Sequence, residues 1–291
     1  MAEHVTELAG LSSSSHARAR VRSLIVPREH GAWGMLLVPL ATGAVVGLVG
    51  GGRALALPWL LLATLSIFWL RTPVESWLGT TPMRAQTADE RKFVGKGILA
   101  LIATSAVALA GLFWQGQNLQ LLWLGLVSAK AFGTQVLLRK WSRDMRTLSQ
   151  IVGAIALTAT APAAYIVVQG SLNKTAVLLW LCNWFFAVNQ IQFVKLRIHS
   201  SRLQGVWTKA LCARSFLVTQ LVVVTGLCIT WRLQRLSGLV ILAFVPALAR
   251  GIHWVVAPSR PLAVRRLGWT ELAQALTFGV LLVAAFGLHA S

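Results

Sequence analysis

Five short patterns hold side chains able to do chemistry. The first is Pro27-Arg28-Glu29-His30-Gly31-Ala32-Trp33-Gly34. Pro27 suits the first turn of a helix, which puts Glu29 and His30 beside its positive end. Gly31, Ala32 and Gly34 are small enough for another helix or a ligand to come close. The same run also reads as an interfacial helix start, with Trp33 at headgroup depth. The second pattern is Arg71-Thr72-Pro73-Val74-Glu75. A helix pairs Arg71 with Glu75, either as a structural ion pair or, beside a cavity, as a pair that orients an anionic headgroup.

The third is a single residue. Lys130 stands about nine residues, or about 13 Å of helix, from the charged end at Arg139. A cation at that depth is expected to face a bundle interior, with Glu75 or Glu271 as counter-charge. The alternative is a lysine stem snorkelling to the interface. The fourth is Asn189-Gln190-Ile191-Gln192, with Lys195, Arg197 and His199 following. Asn189, Gln192 and His199 share one helical stripe. Such amides either hold helices together or form the polar wall of an inward-facing cavity. The fifth, Gly268-Trp269-Thr270-Glu271 with Gln274 one turn on, is placed to close the same cavity.

The elements that carry these residues are apolar runs. Of 291 residues 56% are hydrophobic and 12% charged, against about 25% charged in an ordinary soluble domain. Mean hydropathy is +0.68. That much apolar surface excludes a soluble nucleic-acid binder, a disulfide scaffold and a disordered chain. A membrane-crossing helix needs about 20 mostly apolar residues. The sequence holds about nine such runs, at 33–52, 56–77, 97–114, 119–138, 149–169, 175–194, 214–231, 236–254 and 270–288. Gly50-Gly51-Gly52-Arg53 and Gln169-Gly170-Ser171 mark joints. Pro39, Pro162 and Pro246 fall inside runs, where prolines kink membrane helices without breaking the span. Residues 1–28, with Ser12 to Ser15 and Arg18, Arg20 and Arg22, read as a flexible, solvated cytoplasmic tail, and 29–291 as one transmembrane domain.

A net charge of +19 takes its meaning from its distribution. Arg53, Lys174, Arg232 and Arg235 lie on one side of the alternating spans, and Lys130 lies within one. All the other lysines and arginines, Arg250 among them, are read onto the opposite side. The positive-inside rule makes that side cytoplasmic, with the N-terminus inside and the C-terminus outside. The eight acidic residues fall on the inner side as well. Chemistry is therefore expected at or just below the cytoplasmic surface of a multi-pass cell-membrane protein. Cys182, Cys212 and Cys228 lack CxxC spacing, and no phosphate-binding loop, GxSxG or HExxH occurs. No metal or other cofactor is called for.

The run from Pro27 to Leu40 resembles the opening signature of the YwiC-like family of bacterial integral membrane proteins. Arg71 to Glu75 and Gly268 to Leu272 are similar to that family's second-helix end and last-helix start. The resemblance implies an integral inner-membrane protein and no particular reaction. A more distant similarity is to the UbiA-type intramembrane prenyltransferases, which implies nine helices around an inward-facing site. Those enzymes hold magnesium on aspartate-rich motifs. At the matching places this chain has Arg71-Thr72-Pro73-Val74-Glu75 and Asn189-Gln190-Ile191-Gln192, too few carboxylates for a hard divalent cation.

The expected fold is all-α, a polytopic transmembrane bundle in a UbiA-like arrangement. The expected polar site comprises Glu29, His30, Arg71, Glu75, Lys130, Asn189, Gln192 and Glu271. Three functions stay open: binding of a lipid or isoprenoid without the prenyltransferase metal site, a UbiA-like transferase with a non-standard site, and a small-solute anion transporter. The partners expected are the bilayer and such a ligand, and no nucleic acid.

Overall fold

The computed structural model describes residues 20, 24–26, 30–79, 84–116, 119–141, 145–200, 203, 205–233, 237–257 and 263–290. These are all-α, without sheet. The helices are α1 (His30–Val49), α2 (Leu57–Leu78), α3 (Ala88–Trp114), α4 (Leu119–Trp141), α5 (Arg146–Thr158), α6 (Thr160–Gln169), α7 (Lys174–His199), α8 (Val206–Cys212), α9 (Arg214–Arg232), α10 (Gly238–Val256) and α11 (Val264–Ala290). Among the described residues nine segments are long and apolar enough to cross a membrane, α5 and α6 together forming one of them. This is a polytopic membrane protein.

The chain divides into two compact units, residues 1–30 with 58–116, and residues 31–57 with 117–291. In the first unit, α3 starts nine residues before the apolar run that marks it. Thr87 and Glu90 form a capping box: the Thr87 hydroxyl accepts from the Glu90 amide at 3.1 Å, and Glu90 accepts from the Thr87 amide at 3.3 Å. The charged turn Asp89–Lys96 is thereby helical rather than loop. Part of the segment expected as a free tail packs here. Leu24 is buried with Ala85 and Val94. The Ser76 hydroxyl donates to the Leu24 carbonyl at 3.1 Å, and the Trp69 indole donates to the Ile25 carbonyl at 2.9 Å. Arg20 donates to Glu90 at 2.7 Å and to Gln86 at 2.8 Å. Leu24 and Ile25 are apolar residues in a polar segment, and burying them offsets the entropy of ordering it.

In the second unit the core lies between α1, α6, α7, α9, α10 and α11. Phe186 and Phe278 stack at 4.0 Å, and Phe244 meets Phe278 edge-on at 5.0 Å. In a lipid solvent apolar burial discriminates little, so close backbone approach and polar contacts locate the helices. A Cβ at Gly43 would overlap the Ala161 carbonyl, and one at Gly47 would come within 2.9 Å of the Val168 side chain. Glycine is what lets α1 cross α6 so closely. Hydrogen bonds pin the crossing: Thr160 to the Leu36 carbonyl at 2.9 Å and Gln169 to the Gly47 carbonyl at 2.7 Å. The indoles of Trp180 and Trp184 donate from α7 to the α5 carbonyls of Ile155 and Ile151.

Pro162 has no amide hydrogen for the Thr158 carbonyl, and the fifth span is interrupted there for one residue, α5 ending at Thr158 and α6 starting at Thr160, with Ala159 between them still in the right-handed helical region and the span continuous. Pro39 likewise deprives the Met35 carbonyl of its donor inside α1. Gly170, at φ 81°, then ends α6 in the left-handed conformation that favours glycine.

Candidate functional site

The second unit gathers ionisable and amide side chains at one end of its helices. The C-terminal halves of α7 and α10 and the N-terminal halves of α9 and α11 share that end, because 200–213 joins α7 to α9 and 257–263 joins α10 to α11. Arg250 and Glu271 each stand six or seven residues inside their helices, about 10 Å from the ends. The Arg250 guanidinium pairs with the Glu271 carboxylate, and both side chains are largely buried. The same guanidinium lies 4.0 Å over the Phe193 ring, a cation–π contact made at short range. Gln190 donates to the Glu271 backbone carbonyl at 2.9 Å. Phe193 in turn packs on Phe216 of α9 at 5.8 Å.

Around this pair several buried polar atoms have no hydrogen-bond partner. They are Arg250 Nε and Nη2, Glu271 Oε2, both amide atoms of Asn189, Gln274 Oε1 and both amide atoms of Gln220. Buried polar groups left unpaired in a protein interior each cost about 1–3 kcal/mol, so native proteins keep few of them. Asn189 stands one helical turn inward from Phe193 on α7, and Gln274 one turn inward from Glu271 on α11. Gln220 meets the small step at Gly251, where a Cβ would lie 3.3 Å from its Nε2. Donors and acceptors both stand free in this cluster, which suits a hydrated polar group or a ligand headgroup. Nearer the helix ends, Arg197 and Lys209 lie 5.9 and 5.3 Å from the Trp254 ring, and Lys209 donates to the Ala257 carbonyl.

A narrow crevice of water-molecule scale adjoins the cluster, with Met35, Thr158, Asn183 and Gln190 in its wall. Gln190 belongs to both. Asn183 donates through Nδ2 to Thr42 Oγ1 at 3.2 Å and to the Leu179 carbonyl at 2.8 Å. Thr42 donates on to the Pro39 carbonyl at 2.8 Å.

Of the residues expected from sequence, Asn189, Gln192 and Glu271 are buried in this unit, and Asn189 and Glu271 flank the cluster. Arg71 and Glu75 pair at 3.0 Å across one helical turn, in the first unit. Lys130 departs from expectation. It is exposed on α4, and among the described residues it makes no hydrogen bond or ion pair. Its neighbours Leu126 and Ala129 are exposed too, so α4 turns that face outward. Glu29 lies outside the described residues. His30 opens α1, and its side chain also lies outside them. His199, expected on the amide stripe, is exposed at the end of α7 and contacts the Lys195 carbonyl at 2.8 Å.

Sequence reasoning missed Arg250, which it counted with the loop charges. The available signal was its place four residues before the end of the apolar run 236–254, where a charge needs a partner. Among the described residues no three of His, Cys, Asp and Glu come together in a way that could hold a metal ion.

No curated protein matches the chain. Over residues 26–165, just under half of its length, the chain matches the model of the family described as YwiC-like protein.

Proposed function

We propose that this YwiC-like polytopic membrane protein binds the polar head of a membrane amphiphile, a lipid or isoprenoid, in the cluster around Arg250 and Glu271. The observation that carries the reading is the set of unpartnered buried atoms on Asn189, Gln220, Arg250, Glu271 and Gln274. A bundle that retains them bears a cost that a bound head would offset. Glu271 balances Arg250, so Arg197 and Lys209 add surplus positive charge at the same end and favour an anionic head. The positive-inside bias puts that end on the cytoplasmic side. The isoprenoid class follows the resemblance to UbiA-type proteins, whose arrangement of nine helices is part of this proposal.

The test is lipid extraction from protein purified in mild detergent, followed by mass spectrometry against the bulk membrane. One amphiphile class is expected to be enriched with the wild type and reduced with Asn189→Leu and Gln274→Leu. An extract that mirrors the bulk lipid overturns the reading. Labelled prenyl diphosphate with aromatic acceptors tests whether a transfer reaction accompanies binding. A second reading is a small-solute anion transporter, with the one-residue interruption between α5 and α6 as the chain's nearest approach to the discontinuous helices that mark solute sites in transporters. Uptake into proteoliposomes separates it from binding alone.

A further inference from the structure

The crevice beside the interrupted fifth span presents mostly acceptors. Pro39 removes the donor that the Met35 carbonyl would have in an unbroken helix, and Pro162 does the same to the Thr158 carbonyl. Met35 and Thr158 both line the crevice. The Thr158 hydroxyl commits its hydrogen to the Ala154 carbonyl at 2.7 Å, so toward anything else its oxygen can only accept. Asn183 has both Nδ2 hydrogens engaged, one on Thr42 Oγ1 and one on the Leu179 carbonyl, which leaves Oδ1 to accept. Gln190 donates one Nε2 hydrogen to the Glu271 carbonyl and has Oε1 to offer. The remaining wall is apolar, Phe186 and Ala275 among it. No carboxylate and no cation lines the crevice.

We propose that this crevice is a site for a dehydrated monovalent metal cation, held by the Met35 and Thr158 carbonyls, Thr158 Oγ1, Asn183 Oδ1 and Gln190 Oε1. Neutral oxygens converging in low dielectric stabilise positive charge, and against them the wall's side-chain amides keep one uncommitted hydrogen, the second on Gln190 Nε2. A divalent ion is disfavoured because it calls for carboxylate ligands to balance its charge. Two carbonyls freed by prolines in different helices are the membrane-interior counterpart of unwound segments that coordinate sodium or protons. The site stands apart from the amphiphile reading, since it uses none of the unpartnered atoms around Arg250.

The test uses the full-length protein in detergent or nanodiscs. Melting is followed in NaCl, KCl and choline chloride at equal ionic strength, with binding of radioactive sodium measured alongside. The expected result is a saturable rise in melting temperature with one alkali cation and none with choline. Thr158→Val should weaken binding about tenfold, while Thr158→Ser retains it. Pro162→Ala and Pro39→Ala each return an amide hydrogen to a coordinating carbonyl. They should weaken cation binding while keeping the helices intact, which covers the case that Thr158→Val does not fold. Identical melting in the three salts without sodium binding overturns the proposal, as does wild-type affinity in both proline variants.

Discussion

The buried pair between Arg250 and Glu271 fixes how strongly either charge depends on the other. Glu271→Gln keeps the shape of the side chain and removes its charge. The Arg250 guanidinium then stays buried against Phe193 with two of its nitrogens already unpartnered. Breaking one side of a buried ion pair typically costs about 3–5 kcal/mol, most of it from stranding the other charge. Arg250→Met should cost a similar amount by stranding the carboxylate. Replacing both, as Arg250→Met with Glu271→Leu, removes both desolvation penalties and should return stability to within about 1 kcal/mol of the wild type. The coupling between the two sites is then about 5 kcal/mol or more, a factor of several thousand in the folded population. Equilibrium unfolding in mixed micelles, followed by tryptophan fluorescence, measures all four proteins. If the single variants lose less than about 1 kcal/mol, or the double variant loses the sum of the two, the pair is not the buried, coupled unit described.

Three further outcomes follow from named contacts. Gly43→Leu drives a side chain into the Ala161 backbone and should separate α1 from α6, at about 3 kcal/mol or more; a cysteine crosslink between Leu36 and Thr160 would then form more slowly. Thr87→Ala removes the capping box of α3 and should cost about 1 kcal/mol in the same unfolding assay, with faster amide exchange over 88–91. Lys130→Met touches nothing in the bundle and should change stability by less than about 0.5 kcal/mol; a loss above about 2 kcal/mol would put the lysine in an interior ion pair after all.

The two kinds of membrane residue, apolar and charged, were legible to different degrees. The apolar runs at 119–138 and 149–169 became Leu119–Leu138 and Arg146–Gln169, because span length is a local property of hydropathy. The bond between Arg71 and Glu75 was legible for the same reason, since four residues on a helix bring the two together whatever surrounds them. The start of α3 was legible in principle through Thr87 and Glu90, yet the charges after it resemble a loop. Lys130 and Arg250 exchanged the roles expected of them. Distance along a helix gave the depth of each, but depth does not say which face meets lipid. A transmembrane helix is apolar on both its lipid and its protein face, so its pattern carries little directional signal.

By itself, then, the sequence determined an all-α chain of membrane-length helices, the prolines that fall inside them and the scarcity of carboxylates. Each of these depends on residues within a few turns of one another. Only the tertiary structure decided that α11 returns beside α10 to set Glu271 against Arg250, and that Met35 and Thr158, whose carbonyls lack the proline donors, line one crevice with Asn183 and Gln190. Those encounters join residues of different helices, the crevice through the close crossing of α1 and α6 at Gly43 and Gly47. Packing of whole helices governs them, and local propensity does not.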